Sequence, residues 1–194
     1  GRPGACHIDL PVDISKMSVG NEKPLKKKKI AKEFAAKENI EEAAAEIFKA
    51  ERPVILVGSS AVRDGASEAL TKFASELKIP VLVTMMSKGI IPCDNKYYIG
   101  TIGIPQKGYV NRLIEKSDLV IAVGYDIVEY APTKWNGDAN LRIIHIDTSA
   151  AHINKLYEPV VEVVGDISES LFNIIRRTCR KDEPEYALKI RKRL

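Results

Sequence analysis

The 194-residue sequence has few of the features that mark several common protein classes. It has only three cysteines, with no CxxC pair and no histidine at metal-ligand spacing, which excludes a disulfide framework and a cysteine-based zinc site. No uncharged run approaches the ~18 apolar residues of a membrane helix. No charged segment followed by an apolar run opens the sequence, so we expect no secretory signal. We therefore expect a cytoplasmic protein in a reducing compartment, and Gly1 in place of Met suggests an excised or processed fragment.

Positive charge is concentrated in two flanks. The net charge is +4, with +4 in residues 22–38 and +5 in residues 176–194, so the rest of the chain sums to −5. No aromatic residue interrupts the lysine run at 26–29. We expect solvated linkers in these flanks, with no nucleic-acid or membrane partner.

The pattern of the body predicts alternating strands and helices. Five short apolar runs have strand length, at 54–57, 80–84, 119–123, 143–146 and 160–164. Apolar residues at helical spacing occupy the segments between and beside them, at 40–50, 66–77, 110–114 and 167–175. This alternation predicts an α/β, Rossmann-like domain with a doubly wound, mostly parallel sheet of five or six strands and helices on both faces.

The residues that follow the first strand suggest one candidate site. Ligands of doubly wound sheets bind beyond the carboxyl ends of the strands. Gly58-Ser59-Ser60 could present N–H groups and hydroxyls to an anion there, although a tight turn with no ligand explains the glycine equally well. The dinucleotide fingerprint is incomplete, because Ser60 and Arg63 stand where it needs glycine. A GxSxG nucleophile turn fails at Val62.

Carboxylates and histidines follow the later strands. Asp126, Glu129 and Asp147 could serve acid/base chemistry, but helix capping and loop hydrogen bonds explain them at least as well. His145 and His152 flank Asp147, yet three ligands do not converge at any local spacing. We expect His145 to be a hydrogen-bonded core histidine.

Several motifs resemble one enzyme family. Residues 1–14, GRPGACHIDLPVDI, resemble the GRPGPVxIDLPxDV segment that closes the first domain of thiamine-diphosphate enzymes of the acetolactate synthase and pyruvate oxidase superfamily. Short motifs in the body resemble the central domain of that family throughout. They are Arg52-Pro53-Val54, Ile79-Pro80-Val81, Lys88-Gly89, Gly100-Thr101-Ile102-Gly103, Ser117-Asp118-Leu119-Val120, His145-Ile146-Asp147 and Gly165-Asp166.

The resemblance implies a domain organisation. Residues 1–38 would be the tail of a preceding pyrimidine-binding domain plus a linker, 39–180 the central α/β domain, and 181–194 the start of a linker to a diphosphate-binding domain. That last domain carries a GDG motif followed by paired Asn, whereas Gly137-Asp138 continues here as Ala-Asn and Gly165-Asp166 as Ile-Ser. The sites for thiamine diphosphate and Mg would therefore lie outside this chain, which alone would catalyse nothing.

Within the superfamily, GYDIVEY at 124–130 with Trp135-Asn136 most resembles the catabolic, flavin-independent acetolactate synthases. The full-length protein would then condense two pyruvates to 2-acetolactate with loss of carbon dioxide, as a homodimer or homotetramer. Its central domain would pack against the other domains of the chain. The alternatives are a central domain of a thiamine-dependent pyruvate oxidase or 2-oxoacid decarboxylase, and a stand-alone nucleotide-binding module.

Two departures from the flavin-binding members argue against FAD. Those members show GMHG where this chain has Gly100-Thr101-Ile102-Gly103, and an Arg-Phe-Asp-Asp run after the fourth strand that is missing here. If a flavin or another adenine nucleotide does bind, the family's positions map onto thirteen residues at strand ends. They are Gly58, Ser59, Ser60, Thr84, Met85, Met86, Gly100, Gly103, Gly124, Tyr125, Asp126, Asp147 and Thr148.

Overall fold

The computed structural model describes residues 4–26, 31–103, 108, 110–179 and 181–191. Its helices are α1 (Val12–Ser15), α2 (Lys37–Lys49), α3 (Ser59–Arg63), α4 (Ser67–Leu77), α5 (Asn111–Glu115), α6 (Ile167–Ile175) and α7 (Glu185–Arg191). Its strands are β1 (Pro53–Val57), β2 (Val81–Val83), β3 (Tyr98–Thr101), β4 (Leu119–Val123), β5 (Arg142–Asp147) and β6 (Val161–Val164). Short 3-10 turns occur at Met85–Ser87 and Pro132–Lys134.

Within these ranges, six strands form one parallel sheet in the order β3-β2-β1-β4-β5-β6. The chain builds outward from β1 to β3, returns to pair β4 with β1, and then builds outward to β6. This is the doubly wound arrangement, so the predicted fold class is confirmed. The apolar runs predicted five of the strands, and β3 at one edge is the strand that they missed.

Both faces of the sheet are buried, as continuous apolar strands require. Ile55 and Val57 point to the face covered by α2, α4 and α6, while Val54 and Leu56 point to the face that holds α5 and α7. All five residues of β1 are buried. In the part of the chain that is described, no helix combines the length and the apolar character needed to cross a membrane.

Residues 4–26 and 181–191 differ in how they pack. Every residue from 4 to 26 is exposed. In the segment after 180, by contrast, Ala187 is fully buried on α7 and the Tyr186 hydroxyl donates a hydrogen bond of 3.0 Å to the Pro53 carbonyl. Lys181 donates to the carbonyls of Phe48 and Ala50, at the end of α2. The expectation of a solvated linker is therefore wrong for residues 181–191, which pack on the body, while the domain boundaries at 38 and 180 stay predictions.

The loops that follow β1 and β4 touch through their backbones. The Gly58 amide donates to the Val123 carbonyl at 3.0 Å, and the Ser60 amide donates to the Gly124 carbonyl at 2.9 Å. Gly124 has φ of +58°, and a Cβ added there would lie 2.1 Å from the Ala61 nitrogen. Glycine at 124 is therefore required both by the left-handed backbone and by the close approach.

Replacing Gly124 with alanine tests this contact, and Gly65 provides a matched control. Gly65 also has positive φ, +70°, but nothing lies within 4 Å of an added Cβ. We expect Gly65→Ala to lower the free energy of unfolding by about 1–2 kcal/mol through backbone strain alone. Gly124→Ala should cost at least about 3 kcal/mol because the loop must also move. Urea denaturation measures both, and equal losses would contradict the close approach.

The packing of α7 is tested by a buried charge. Ala187→Asp places a carboxylate in an apolar cluster of buried residues, and should lower the free energy of unfolding by about 3 kcal/mol or more. Lys189→Ala, on the exposed face of the same helix, should change it by less than about 0.5 kcal/mol. Similar values for the two variants in urea denaturation would show that α7 does not pack on the body.

Candidate functional site

The thirteen predicted site residues lie at the carboxyl edge of the sheet or in its last strand positions. Gly58, Ser59 and Ser60 follow β1, Thr84 begins the turn after β2, and Gly124 follows β4. Because all six strands described are parallel, their carboxyl ends share one edge. The structure divides this edge into a filled half over β1, β2 and β3 and an open half over β4, β5 and β6.

The Glu129 carboxylate occupies the filled half. It accepts hydrogen bonds from the Ser59 amide at 2.9 and 3.1 Å and from the Ser59 hydroxyl at 2.7 Å. The Thr84 hydroxyl, which is buried, donates to it at 2.6 Å. Hydrogen bonds to a charged acceptor contribute about 1.5–3 kcal/mol each. The donors predicted to meet an external anion after β1 therefore meet a carboxylate of the chain itself.

Tyr130, the next residue, covers the end of β3. A Cβ added at Gly103, where φ is +86°, would lie 2.8 Å from the Tyr130 ring. The Tyr130 hydroxyl accepts a hydrogen bond of 2.8 Å from the Asn111 side chain, whose oxygen accepts from the Gly103 amide at 3.3 Å. The ring therefore fills the space over Gly103, while Gly100 lies within β3.

Hydrogen bonds within the loop 124–130 and to Trp135 fix the conformation of this loop, which carries Glu129 and Tyr130. The Tyr125 hydroxyl donates to the Tyr130 carbonyl at 2.5 Å and accepts from the Trp135 indole at 3.1 Å. The Glu129 amide donates to the Asp126 carbonyl at 3.0 Å, and an Asp126 carboxylate oxygen accepts from the Val128 amide at 3.1 Å. These bonds fix the backbone that presents Glu129.

Met85 and Met86 lie beside the filled half, in the turn after β2. Both side chains are about two-thirds exposed, at 67%. Ser87 anchors the turn by donating its hydroxyl proton to the Val57 carbonyl at 2.6 Å. The two methionines therefore form an exposed apolar surface and do not belong to the core.

The open half contains a cavity of about 470 Å³. Five of the predicted site residues line it. They are Ser60, Tyr125, Asp126, Asp147 and Thr148. Lys32, Arg63, Asp64 and Asp166 add charges of both signs to its wall, and a wall of mixed charge is suited to a polar ligand.

The floor of this cavity is a buried cluster of His145, Tyr125 and Tyr157. His145 Nε2 donates to the Ser149 carbonyl at 3.0 Å, and its Nδ1 forms a hydrogen bond of 2.8 Å with the Tyr157 hydroxyl. Burial raises the pKa of both tyrosines well above 10. The expectation of a hydrogen-bonded core histidine is confirmed.

The segment after residue 30 closes one side of the cavity. The Asp166 amide donates to the Glu33 carbonyl at 2.7 Å, and Lys32 forms an ion pair with the Asp166 carboxylate. Asp166 also caps α6 by accepting from the Glu169 amide at 2.9 Å. Burial disfavours the ionised form of Asp166, but the hydrogen bond from Lys32 and the cap hold its pKa below the ordinary value.

The described residues contain no group of three or more His, Cys, Asp or Glu side chains placed to hold a metal ion. Of the two Gly-Asp pairs, Asp138 is exposed and Asp166 already binds Lys32 and the cap of α6. Neither pair belongs to such a group.

A family model described as thiamine pyrophosphate enzyme, central domain, matches residues 40–174. The chain belongs to this family. The match covers the whole sheet, from α2 to the last turn of α6. The resemblance inferred from the strand motifs is confirmed.

Curated relatives of this central domain are named acetolactate synthases. The probable acetolactate synthase large subunit of Methanocaldococcus jannaschii is 34% identical over 189 residues, and the acetolactate synthase of Bacillus subtilis is 33% identical over 176 residues. The acetolactate synthase isozyme 1 large subunit of Escherichia coli is 29% identical over 177 residues. Each match covers 90% of this chain and 31% of the relative, so the chain spans about a third of their length.

The arrangement does not fit a flavin dinucleotide laid across the edge of this central domain. Glu129 holds the Ser59 and Thr84 donors, and the Tyr130 ring fills the space over Gly103.

The sequence analysis named Glu129 as a strand-end carboxylate but left it and Tyr130 out of the predicted site. One signal in the sequence could have identified this contact: Ser59, Thr84 and Glu129 each follow a buried strand, so two hydroxyl groups and a carboxylate are expected at the same edge of the sheet. Binding of any ligand by the thirteen predicted residues stays a prediction.

The Lys32–Asp166 contact makes the stability of the central domain depend on pH. Folding lowers the pKa of the Asp166 carboxyl below its ordinary value of 3.8. The ionised carboxyl therefore stabilises the fold at pH values above 3.8, and this stabilisation is lost as the pH falls through the lower pKa of the folded protein. Asp166→Asn keeps a capping side chain and removes the charge, so it should lower the free energy of unfolding by about 1 kcal/mol at pH 7.

That difference should shrink at an acidic pH below the lowered folded pKa, because the wild-type carboxyl is then protonated as well. Asp138→Asn, at an exposed site with the same charge change, should have little effect at either pH. Urea denaturation at both pH values measures the two variants. A loss for Asp166→Asn that stays the same in acid would contradict the ion pair.

Proposed function

We propose that the chain is the central domain of a thiamine-diphosphate-dependent acetolactate synthase that works without flavin. The observation that carries the proposal is similarity to acetolactate synthases over 90% of the chain. The flavin-independent part is supported by the Glu129 carboxylate, which holds the Ser59 donors directly after β1, the loop at which doubly wound folds bind a dinucleotide diphosphate. The full-length protein would condense two pyruvates to 2-acetolactate with loss of carbon dioxide.

The central domain would contribute structure and not chemistry. Thiamine diphosphate, held with Mg by other parts of the full-length protein, supplies the carbanion chemistry when bound. The strand-end carboxylates of this chain already accept hydrogen bonds from the protein: Glu129 from Ser59 and Thr84, and Asp147 from the Thr148 amide at 2.6 Å. Such carboxylates support loop structure better than proton transfer to a substrate.

Other parts of the same protein are the expected partners of the filled half. Met85 and Met86 are each 67% exposed and Val128 is 80% exposed, in turns that meet at Thr84 and Glu129. An apolar surface of this kind is suited to packing against another domain. We also propose a homodimer or homotetramer for the full-length protein, as in the family. The three exposed free thiols support a location in the reducing cytoplasm.

Acetolactate formation from pyruvate tests the proposal. The full-length protein is stripped of bound cofactors and resupplied with thiamine diphosphate and magnesium, with and without FAD. We expect the same rate of acetolactate formation in both mixtures. Product that appears only with FAD would contradict the flavin-independent assignment. If neither mixture gives acetolactate, assays for acetaldehyde and for acetyl phosphate would then identify a decarboxylase or an oxidase.

A further inference from the structure

The loop 124–130 crosses from the end of β4 over the end of β1 to the end of β2. It begins at Gly124, whose carbonyl accepts from the Ser60 amide, and it reaches Thr84 through the Glu129 carboxylate. We propose that Glu129 is a specificity-determining residue that excludes anionic dinucleotides, FAD included, from the carboxyl edge of the sheet. This deepens the flavin-independent part of the proposed function and concerns binding alone.

The first argument is competition for hydrogen-bond donors. Doubly wound folds bind a dinucleotide diphosphate at the loop after the first strand, where this chain offers the N–H group and hydroxyl of Ser59. Both already donate to Glu129, at distances between 2.7 and 3.1 Å. The Thr84 hydroxyl is used in the same way. A diphosphate would therefore lose these donors and also meet a like charge at contact distance, which disfavours its binding.

The second argument is that the loop is rigid. For Glu129 to leave with its backbone, the loop would have to break the bond from Tyr125 to the Tyr130 carbonyl and the bond from Asn111 to the Tyr130 hydroxyl. The Tyr130 ring would also have to leave Gly103. These contacts do not involve the Glu129 carboxylate, so they hold the backbone of Glu129 in place whatever the bonds of the carboxylate contribute.

The third argument concerns the length of the ligand. The open cavity of about 470 Å³ lies over β4, β5 and β6, and a ligand confined to it would not meet Glu129, which is absent from its lining. A dinucleotide is longer and would have to pass Gly58 and Gly124, where a Cβ at Gly58 would already lie 3.0 Å from the Glu129 carboxylate. Exclusion by Glu129 therefore depends on both the charge and the length of the ligand.

Titration of FAD into the flavin-free full-length protein tests the proposal, with isothermal titration calorimetry and flavin fluorescence as readouts. The variants are Glu129→Ala, which removes charge and volume, and Glu129→Gln, which keeps the length and removes only the charge. We expect no saturable binding of FAD by the wild type up to about 1 mM. Glu129→Ala should bind FAD with a Kd of about 0.1 mM or lower, at least about tenfold below that concentration. Glu129→Gln should lie between the two.

Glu115→Gln serves as the matched control, because Glu115 is an exposed glutamate at the end of α5 and away from the carboxyl edge. It should bind FAD no better than the wild type. Saturable binding of FAD by the wild type at about 10 µM would overturn the proposal, as would two folded Glu129 variants that gain no affinity. If Glu129→Ala does not fold, Glu129→Gln decides the result, since glutamine keeps one oxygen that can accept from Ser59. A failed acetolactate assay would refute the proposed function and leave this binding result unaffected.

Discussion

The backbone contact between the loops after β1 and β4 is the constraint on which the carboxyl edge depends. In a doubly wound sheet these two strands are parallel neighbours, but the connections that follow them run to opposite faces of the sheet. This leaves a crevice between the ends of the two strands. Here Gly58 and Gly124 bring the two loops together, with the Ser60 amide donating to the Gly124 carbonyl. An added Cβ at either glycine would meet backbone atoms at 2.5 Å or less. The two loops therefore close the crevice at its centre.

The division of the edge follows from that contact. The loop that leaves Gly124 turns over β1 and places the Glu129 carboxylate and the Tyr130 ring over the ends of β1, β2 and β3. The other half keeps its cavity, floored by the His145 and Tyr157 pair. A carboxylate that meets an N–H group and two hydroxyls satisfies groups that would otherwise need solvent or a ligand. The donors at the ends of β1 and β2 are thus satisfied within the domain, which supports the structural role proposed above.

Much of the fold could be predicted from the sequence, because buried parallel strands are continuous apolar runs. β1 and β4 are such runs, and each was located within one residue. β3 was missed because it is a short edge strand that contains Gly100 and is only partly buried. The strand-end residues could also be predicted, since parallel strands place their carboxyl ends together. The partner of Ser59 could not, because Glu129 is 70 residues away in sequence and reaches it only through the sheet order.

A crystal structure of the full-length protein, grown with thiamine diphosphate, magnesium and an excess of FAD, tests the central claim most directly. We expect the Glu129 carboxylate to remain on the Ser59 amide and the Thr84 hydroxyl, with no flavin over the sheet. A flavin dinucleotide that extends past Gly58 and Gly124, with Glu129 turned away from its donors, would contradict the account.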